Sequence, residues 1–348
     1  MMFRKLIIIL LAAGCSFAVT TKQIDDIRAK SSLSEEDAQT LAAFIDQQFD
    51  EMLNADDLSG AVKAMDQLTL RKPKEDQQQY KSQFAQTLKE NIASVMNVVD
   101  TWEDKTFAAG FQVMMARMAS QLDSSEFFQF ARSLSKSSQP SSRYWAVKIC
   151  LTPNNISTIK QGGQGAEELL ADLREMANQE DTALVGRILS KLCVELNNDA
   201  ADQMLESLMN NRMEIYSKGE ARNEYCDAEL FKAAASRIQT GSDSLKEPFA
   251  QTFAYIVEKY SIALSPDNML EAKSKAQLAA LISEIEKNIL PDLGINDSSI
   301  TSAIGKQDYQ ALQESYTKVF GGADTEGLLP QQLGFTYPSG QAPKSLGI

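Results

Sequence analysis

Residues 34–53 read SEEDAQTLAAFIDQQFDEML, and this stretch decides the class of fold. Ser34 offers a hydroxyl to the free amides of a helix start, and Glu35, Glu36 and Asp37 place carboxylates at the positive end of the helix dipole. Leu41, Phe44, Ile45, Phe49, Met52 and Leu53 then recur at intervals of three and four, which lines them along one face of an α-helix. A second helix is expected over 57–70, with Leu58, Val62, Met65 and Leu68 inward and Pro73 ending it. A third, over 76–99, carries the stripe Tyr80, Phe84, Leu88, Ile92, Val95 and Val99.

Toward the C-terminus the same period continues in shorter pieces. Helices are expected over 106–122, 125–135, 141–151, 166–178, 182–196, 200–217, 224–238, 245–264 and 266–289, with one or two more in 300–320. No stretch sustains an alternation of period two, so the expected class is all-α: an irregular α-solenoid of stacked antiparallel helix pairs, without sheet. The chain divides on this reading into an N-terminal helical region 34–103, a helical array 104–290, terminal helices 291–320 and a Gly-, Pro-, Gln- and Ser-rich tail 321–348 expected to be poorly ordered.

Within the array, Pro140 to Leu151 (PSSRYWAVKICL) can be laid over Asp181 to Leu192 (DTALVGRILSKL), 41 residues further on. The first segment resembles the opening helix of a HEAT repeat, with 166–178 and 200–217 as the second helices of two successive units. The resemblance implies pairs that bury their apolar faces only by stacking on neighbours. An irregular helical array outside that family is the alternative reading of the same periodicity.

Toward the N-terminus the chain reads as an address. Arg4 and Lys5 precede the apolar run Leu6 to Ala13, and Leu11-Ala-Ala-Gly-Cys15 closes it; the run is too short to span a bilayer, and 1–18 reads as a signal peptide. The ending resembles the lipobox of bacterial lipoproteins, which implies acylation of Cys15 and a membrane attachment through that anchor. Ala12 stands where leucine is commonest in that family. Ser16 follows the cysteine in place of the aspartate that retains such proteins at the inner membrane, so the resemblance points to the outer membrane or periplasm. Ordinary cleavage after Ser16-Phe17-Ala18 is the competing reading. Residues 19–33 would form a polar tether.

The full chain carries a net charge of −13, and the loss of Arg4 and Lys5 with the leader leaves a more negative body. Its densest basic run, Arg71-Lys-Pro-Lys74, is followed at once by Glu75 and Asp76, which argues against nucleic acid as a partner. The chain has no histidine. That excludes Ser-His and Cys-His nucleophilic dyads and histidine-based zinc sites. Cys150, Cys193 and Cys226 show no CxxC spacing; each fits an apolar helical pattern, and Cys150 with Cys193 is the pair to test for a disulfide.

The remaining motifs have structural readings that outweigh the chemical ones. Gly162-Gly-Gln-Gly165 precedes a helix as an anion cradle would, but Glu167 and Glu168 would repel a phosphate, and a flexible loop explains it. Its Gly-Gly-Gln also resembles the peptidyl-release motif of translation termination factors. Ser133-Leu-Ser-Lys136 fits the Ser-x-x-Lys of penicillin-binding enzymes without their accompanying elements. Asp56-Asp57, Asp199 with Asp202, and Glu284 with Glu286 read as caps or solvated faces, and no EF-hand spacing occurs. Trp102, Phe107, Tyr144 and Trp145 read as core aromatics, and Met114, Met115 and Met118 as core filler.

The sequence therefore points to a lipid-anchored extracytoplasmic scaffold or envelope assembly factor that binds protein, with no catalytic, metal or cofactor residues assigned and Cys15 as the lipidation site. The alternative is a carbohydrate-active enzyme on a helical toroid using two carboxylates, a chemistry that needs no histidine. A carrier with an apolar cavity between its helices is a third.

Overall fold

The computed structural model describes residues 18–74, 76–99, 101–264, 270–322 and 325–337; the leader with Cys15, and residues 338–348, lie outside the described residues. The chain divides into two compact units between Leu169 and Leu170. The first holds α1 (Thr21–Arg28), α2 (Glu35–Leu53), α3 (Leu58–Leu70), α4 (Gln78–Val99), α5 (Lys105–Leu122), α6 (Phe128–Ser135), α7 (Pro140–Cys150) and α8 (Pro153–Lys160). Helix α9 (Ala166–Gln179) begins in it and ends in the second. The second unit continues with α10 (Ala183–Leu196), α11 (Asp199–Ser217), α12 (Ala228–Gln239), α13 (Lys246–Ser261), α14 (Ala272–Glu284), α15 (Ser299–Lys306), α16 (Tyr309–Phe320) and α17 (Leu328–Leu333). Among the described residues the fold is all-α, the sole β element being an isolated bridge between Gly321 and Glu326. In each unit helices pack mainly on the next or next-but-one helix in the chain, a solenoid-like arrangement.

Helix α2 forms for the reasons its sequence gives. Ser34 Oγ accepts from the Asp37 amide at 3.1 Å while Asp37 Oδ2 accepts from the Ser34 amide at 3.0 Å, a reciprocal cap. Lys30 Nζ stands 2.6 Å from Asp37 and holds its carboxyl at about 2. Leu41, Phe44, Ile45, Phe49 and Met52 are all buried. Each such side chain contributes about 1.5–3 kcal/mol on leaving water.

The N-terminal region and the array do not separate at 103/104. Helix α5 packs on α3 and α4 as well as on α7, and Gly110 lets α5 approach so closely that a Cβ there would lie 2.7 Å from Leu58 Cδ1.

Residues expected as a tether instead fold into α1. Thr20 and Gln23 form a capping box, and Ile24 and Ile27, one turn apart, are buried. Arg71 then clamps the helix through Asp25 at 3.3 Å and the Thr21 carbonyl at 3.4 Å. Two apolar residues among many polar ones gave the segment too little periodicity to be read.

The long loop expected at 152–165 contains α8. Pro153 opens it, and its free amides are met by a carboxylate from outside the segment: Asp123 Oδ1 accepts from Asn154 at 2.9 Å and from Asn155 at 3.3 Å. Part of the expected disordered tail is also folded. Helix α17 packs on α13 and α16, and Leu329, Leu333 and Tyr337 are buried. The turn before it admits only glycine at 327, where a Cβ would come within 2.2 Å of the Phe320 carbonyl carbon.

In the second unit a polar ladder joins α9 to α11. Arg174 bonds Gln203 at 2.9 Å and Asn178 accepts from Ser207 at 2.6 Å. Both pairs are separated by 29 residues, a constant offset that requires the two helices to run parallel. Asn197 and Asn198 alone separate α10 from α11, with Asn197 in the left-handed region and Asn198 accepting from the Ala201 amide at 3.0 Å. A linker that short turns the chain back on itself. The core of this unit holds edge-on aromatic contacts, Phe231 to Phe249 at 5.0 Å and Phe253 to Phe320 at 5.1 Å.

Candidate interface on the second unit

The most chemically charged place in the second unit lies inside it. Arg212 and Tyr216, one turn apart on α11, face a 3₁₀ turn at Glu224–Asp227 that precedes α12. Asp227 Oδ2 accepts from Arg212 Nε at 3.0 Å, from Arg212 Nη2 at 2.8 Å and from Tyr216 OH at 2.6 Å. At the other end of the turn, Lys259 on α13 donates to Glu224 Oε1 at 3.0 Å and to the Ala221 carbonyl at 2.7 Å. Ser274 on α14 donates a second, short hydrogen bond to the same Glu224 oxygen. Both cations sit over the Tyr216 ring, Arg212 at 5.2 Å and Lys259 at 5.7 Å from its centroid.

Two cations and two anions, each 4% exposed or less, form a neutral and mutually satisfied set. Burial opposes the charge on Arg212, but the Asp227 carboxylate and the Tyr216 oxygen outweigh it and hold the guanidinium more firmly protonated than usual. Burial, with the Asp227 charge beside it, pushes the Tyr216 phenol well up, so it serves as a hydrogen-bond donor. With its hydrogen bonds made internally, this network fits an anchor better than a reaction centre. What it anchors is the turn, entered through Asn223 at φ 53°.

Anchoring both ends of the turn leaves its middle outside. Tyr225 is 49% exposed and Cys226 half-buried. The Cys226 thiol is pushed up by burial, while Arg187 of α10 acts on it in the opposite sense, which places the turn beside the outer face of α10. That face bears Leu184, Arg187, Lys191, Val194 and Glu195, all exposed, so apolar side chains and charges of both signs share it. Leu184 and Val194 are 49% and 46% exposed, and among the described residues neither Arg187 nor Lys191 makes an ion pair. The turn that carries Tyr225 thus packs against the helix whose outer face bears these residues.

The residues singled out from sequence go elsewhere. Gly162 and Gly163 end α8 in a Schellman turn, Gly163 donating to Thr158 O and Gly162 to Ile159 O. Ser133 Oγ donates to the Phe130 carbonyl at 2.7 Å and is part of an ordinary helix. Asp57 caps α3 through the Gly60 amide at 2.8 Å, and Asp202 pairs with Arg237 at 3.0 Å. Glu284 pairs with Lys232 at 2.7 Å. Of the two readings offered for Glu286, cap or solvated face, the structure shows the cap: a π turn at Ile285–Ile289 carries it inward, 1% exposed, where it accepts from the Ile300 and Thr301 amides at 3.1 and 2.6 Å at the start of α15. Tyr144 and Trp145, read as core, stand edge to face at 5.9 Å and remain half-exposed. Trp102 packs on Phe107 and Phe111 at 5.6 and 5.3 Å. Cys150 and Cys193 are free and buried; no disulfide joins them.

The first unit has an open polar groove of about 850 Å³ between the start of α2, the start of α4 and the Asp123–Glu126 segment. Two of its three carboxylates are engaged, Asp123 by the start of α8 and Glu126 by Lys89 at 2.5 Å, and the third is Glu35 in the first turn of α2. No cluster of three or more metal-binding side chains occurs among the described residues, and no helix there is long and apolar enough to cross a membrane.

No family model, curated protein or solved structure matches this chain. The buried network itself escaped the sequence reading. Glu224 and Asp227 flank an otherwise unremarked turn, and their partners lie up to 50 residues away in the chain. The one legible sign was a pair of acids placed against the edge of an apolar stripe.

Proposed function

We propose that this chain is exported, anchored through Cys15 at the outer membrane or in the periplasm, and serves there as a scaffold or assembly factor that binds another protein. The observation that carries the binding part is the Tyr225 turn, held at both ends by buried ion pairs and presented beside the exposed Leu184–Val194 face of α10. Tyrosine and arginine dominate binding hot spots because they bring large, pre-organised contact area, and a ring on an anchored turn gives up little freedom on docking. The leader supports the export part, with small residues and a cysteine closing a short apolar run. An acidic body favours anchoring through acyl chains rather than through the protein surface.

The test is photo-crosslinking from residue 225 in intact cells of the source. A heterologous adduct that disappears when Leu184 and Val194 are changed to serine is the expected result. Adducts of equal yield from residue 225 and from an exposed site such as Glu51 would overturn the assignment of this face.

A further inference from the structure

The folding of α1 removes the reach that a polar tether over 19–33 would have had. Val19 already belongs to the first unit: its amide donates to Gln47 Oε1 on α2 at 3.1 Å, Thr20 caps α1, and Arg71 Nε donates to the Thr21 carbonyl at 3.4 Å. The chain from Cys15 to Val19 spans at most about 14 Å in any conformation, against about 65 Å for a tether that ran on to Ser34. We infer that the end of the first unit formed by the first turn of α1 and by Gln47 is a lipid-facing surface, held against the bilayer headgroups by acylated Cys15. The inference rests on the lipoprotein reading of the leader.

Acyl chains buried in hydrocarbon keep the cysteine that bears them in the headgroup layer, so Val19 stays within about 14 Å of that layer. The side chains around it suit the position. Thr20, Thr21, Lys22 and Gln23 are exposed and include no acid, whereas Asp25 and Asp26 come in the following turn. Chain length imposes this contact, not attraction, because a chain carrying −13 is repelled by anionic lipid. The same geometry sets the other end of α2 apart. Ser34 lies about 20 Å along the helix from Gln47, and the polar groove bordered by Ser34 and by Asn154 of α8 stands at that end, away from the point of attachment.

The test places the acylated full chain on phosphatidylethanolamine–phosphatidylglycerol vesicles that contain a spin-labelled headgroup lipid, a short-range quencher. A fluorophore is attached at Lys22→Cys or, on the exposed end of α8, at Lys160→Cys, each in a Cys226→Ser background; unchanged circular dichroism confirms that each variant is folded. Quenching at residue 22 should exceed that at residue 160 by about twofold or more and persist as salt rises, since a covalent tether is not screened. Inserting about 20 residues of Gly-Ser between Phe17 and Ala18 adds about 25 Å of mean reach and should lower quenching at residue 22 by about half or more, with the chain still on the vesicles. Equal quenching at the two positions, loss of the difference in high salt, or no effect of the insertion would each overturn the placement. Were any of these seen with a chain that still needs Cys15 to bind the vesicles, the anchor would stand and the placement alone would fall. Vesicle binding undiminished in Cys15→Ser, or a chain recovered without acyl groups, would overturn both.

Discussion

Asp227 shows how much one residue can fix. Its Oδ2 takes two hydrogen bonds from Arg212 and one from Tyr216, so neutralising it strands a buried guanidinium. Asp227→Asn should cost about 3–5 kcal/mol in urea unfolding, the usual consequence of leaving a buried charge without its partner. Tyr216→Phe removes one hydrogen bond and should cost about 0.5–1.5 kcal/mol. Tyr225→Ala, on the exposed side of the same turn, should stay within about 0.5 kcal/mol of wild type. That contrast separates the anchor from what it presents.

Asp37 gives a second prediction at this scale. Its hydrogen bond from Lys30, with the amide of Ser34, holds the carboxyl at about 2 against an ordinary 3.8. A folded-state value below the unfolded one gives stability that is complete above 3.8 and disappears as the pH falls toward about 2. Asp37→Asn should therefore flatten the acid limb of the stability curve in that window and lower stability at neutral pH, as thermal unfolding between pH 2 and 7 would show. Thiols also differ: burial pushes Cys150 up to about 12 and Cys193 higher, whereas Cys226 is half-buried. Of these three, Cys226 alone should react with an aromatic disulfide reagent in the native chain.

At the scale of elements, the long amphipathic helices were legible and the short ones were not. Helix α2 begins and ends within a residue or so of its sequence reading, because Ser34, three acids and six apolar residues at helical spacing agree. Helices α1, α8 and α17 have eight, eight and six residues, too few to display a period. Each is held by something distant in sequence: Arg71 for α1, Asp123 for α8, and for α17 its packing on α13. The candidate site was hidden for the same reason, since Glu224 finds Lys259 and Ser274 only once α13 and α14 are in place. Residues 21–28 and 328–333 are thus parts of the folded units. Ile24→Ser should destabilise the chain by about 2–4 kcal/mol, given a fully buried aliphatic residue replaced by a polar one. Gly327→Ala should lower the Tm and raise hydrogen exchange in 325–337, where a methyl group would collide with the Phe320 backbone.

At the scale of the whole molecule, the leader, the acidic body and the α10 face converge on one proposed role, that of holding a partner protein outside the cytoplasm. The chain has no histidine, Asp202 and Glu284 are paired with Arg237 and Lys232, and Glu286 caps α15. The most direct measurement is fractionation of source cells expressing the wild-type chain and Cys15→Ser, with the intact mass of each product. The account predicts a wild-type chain in the membrane fraction that begins at an acylated Cys15, and a Cys15→Ser chain that leaves that fraction. Recovery of the wild-type chain from the cytosol with Met1 to Ala18 still attached would contradict it.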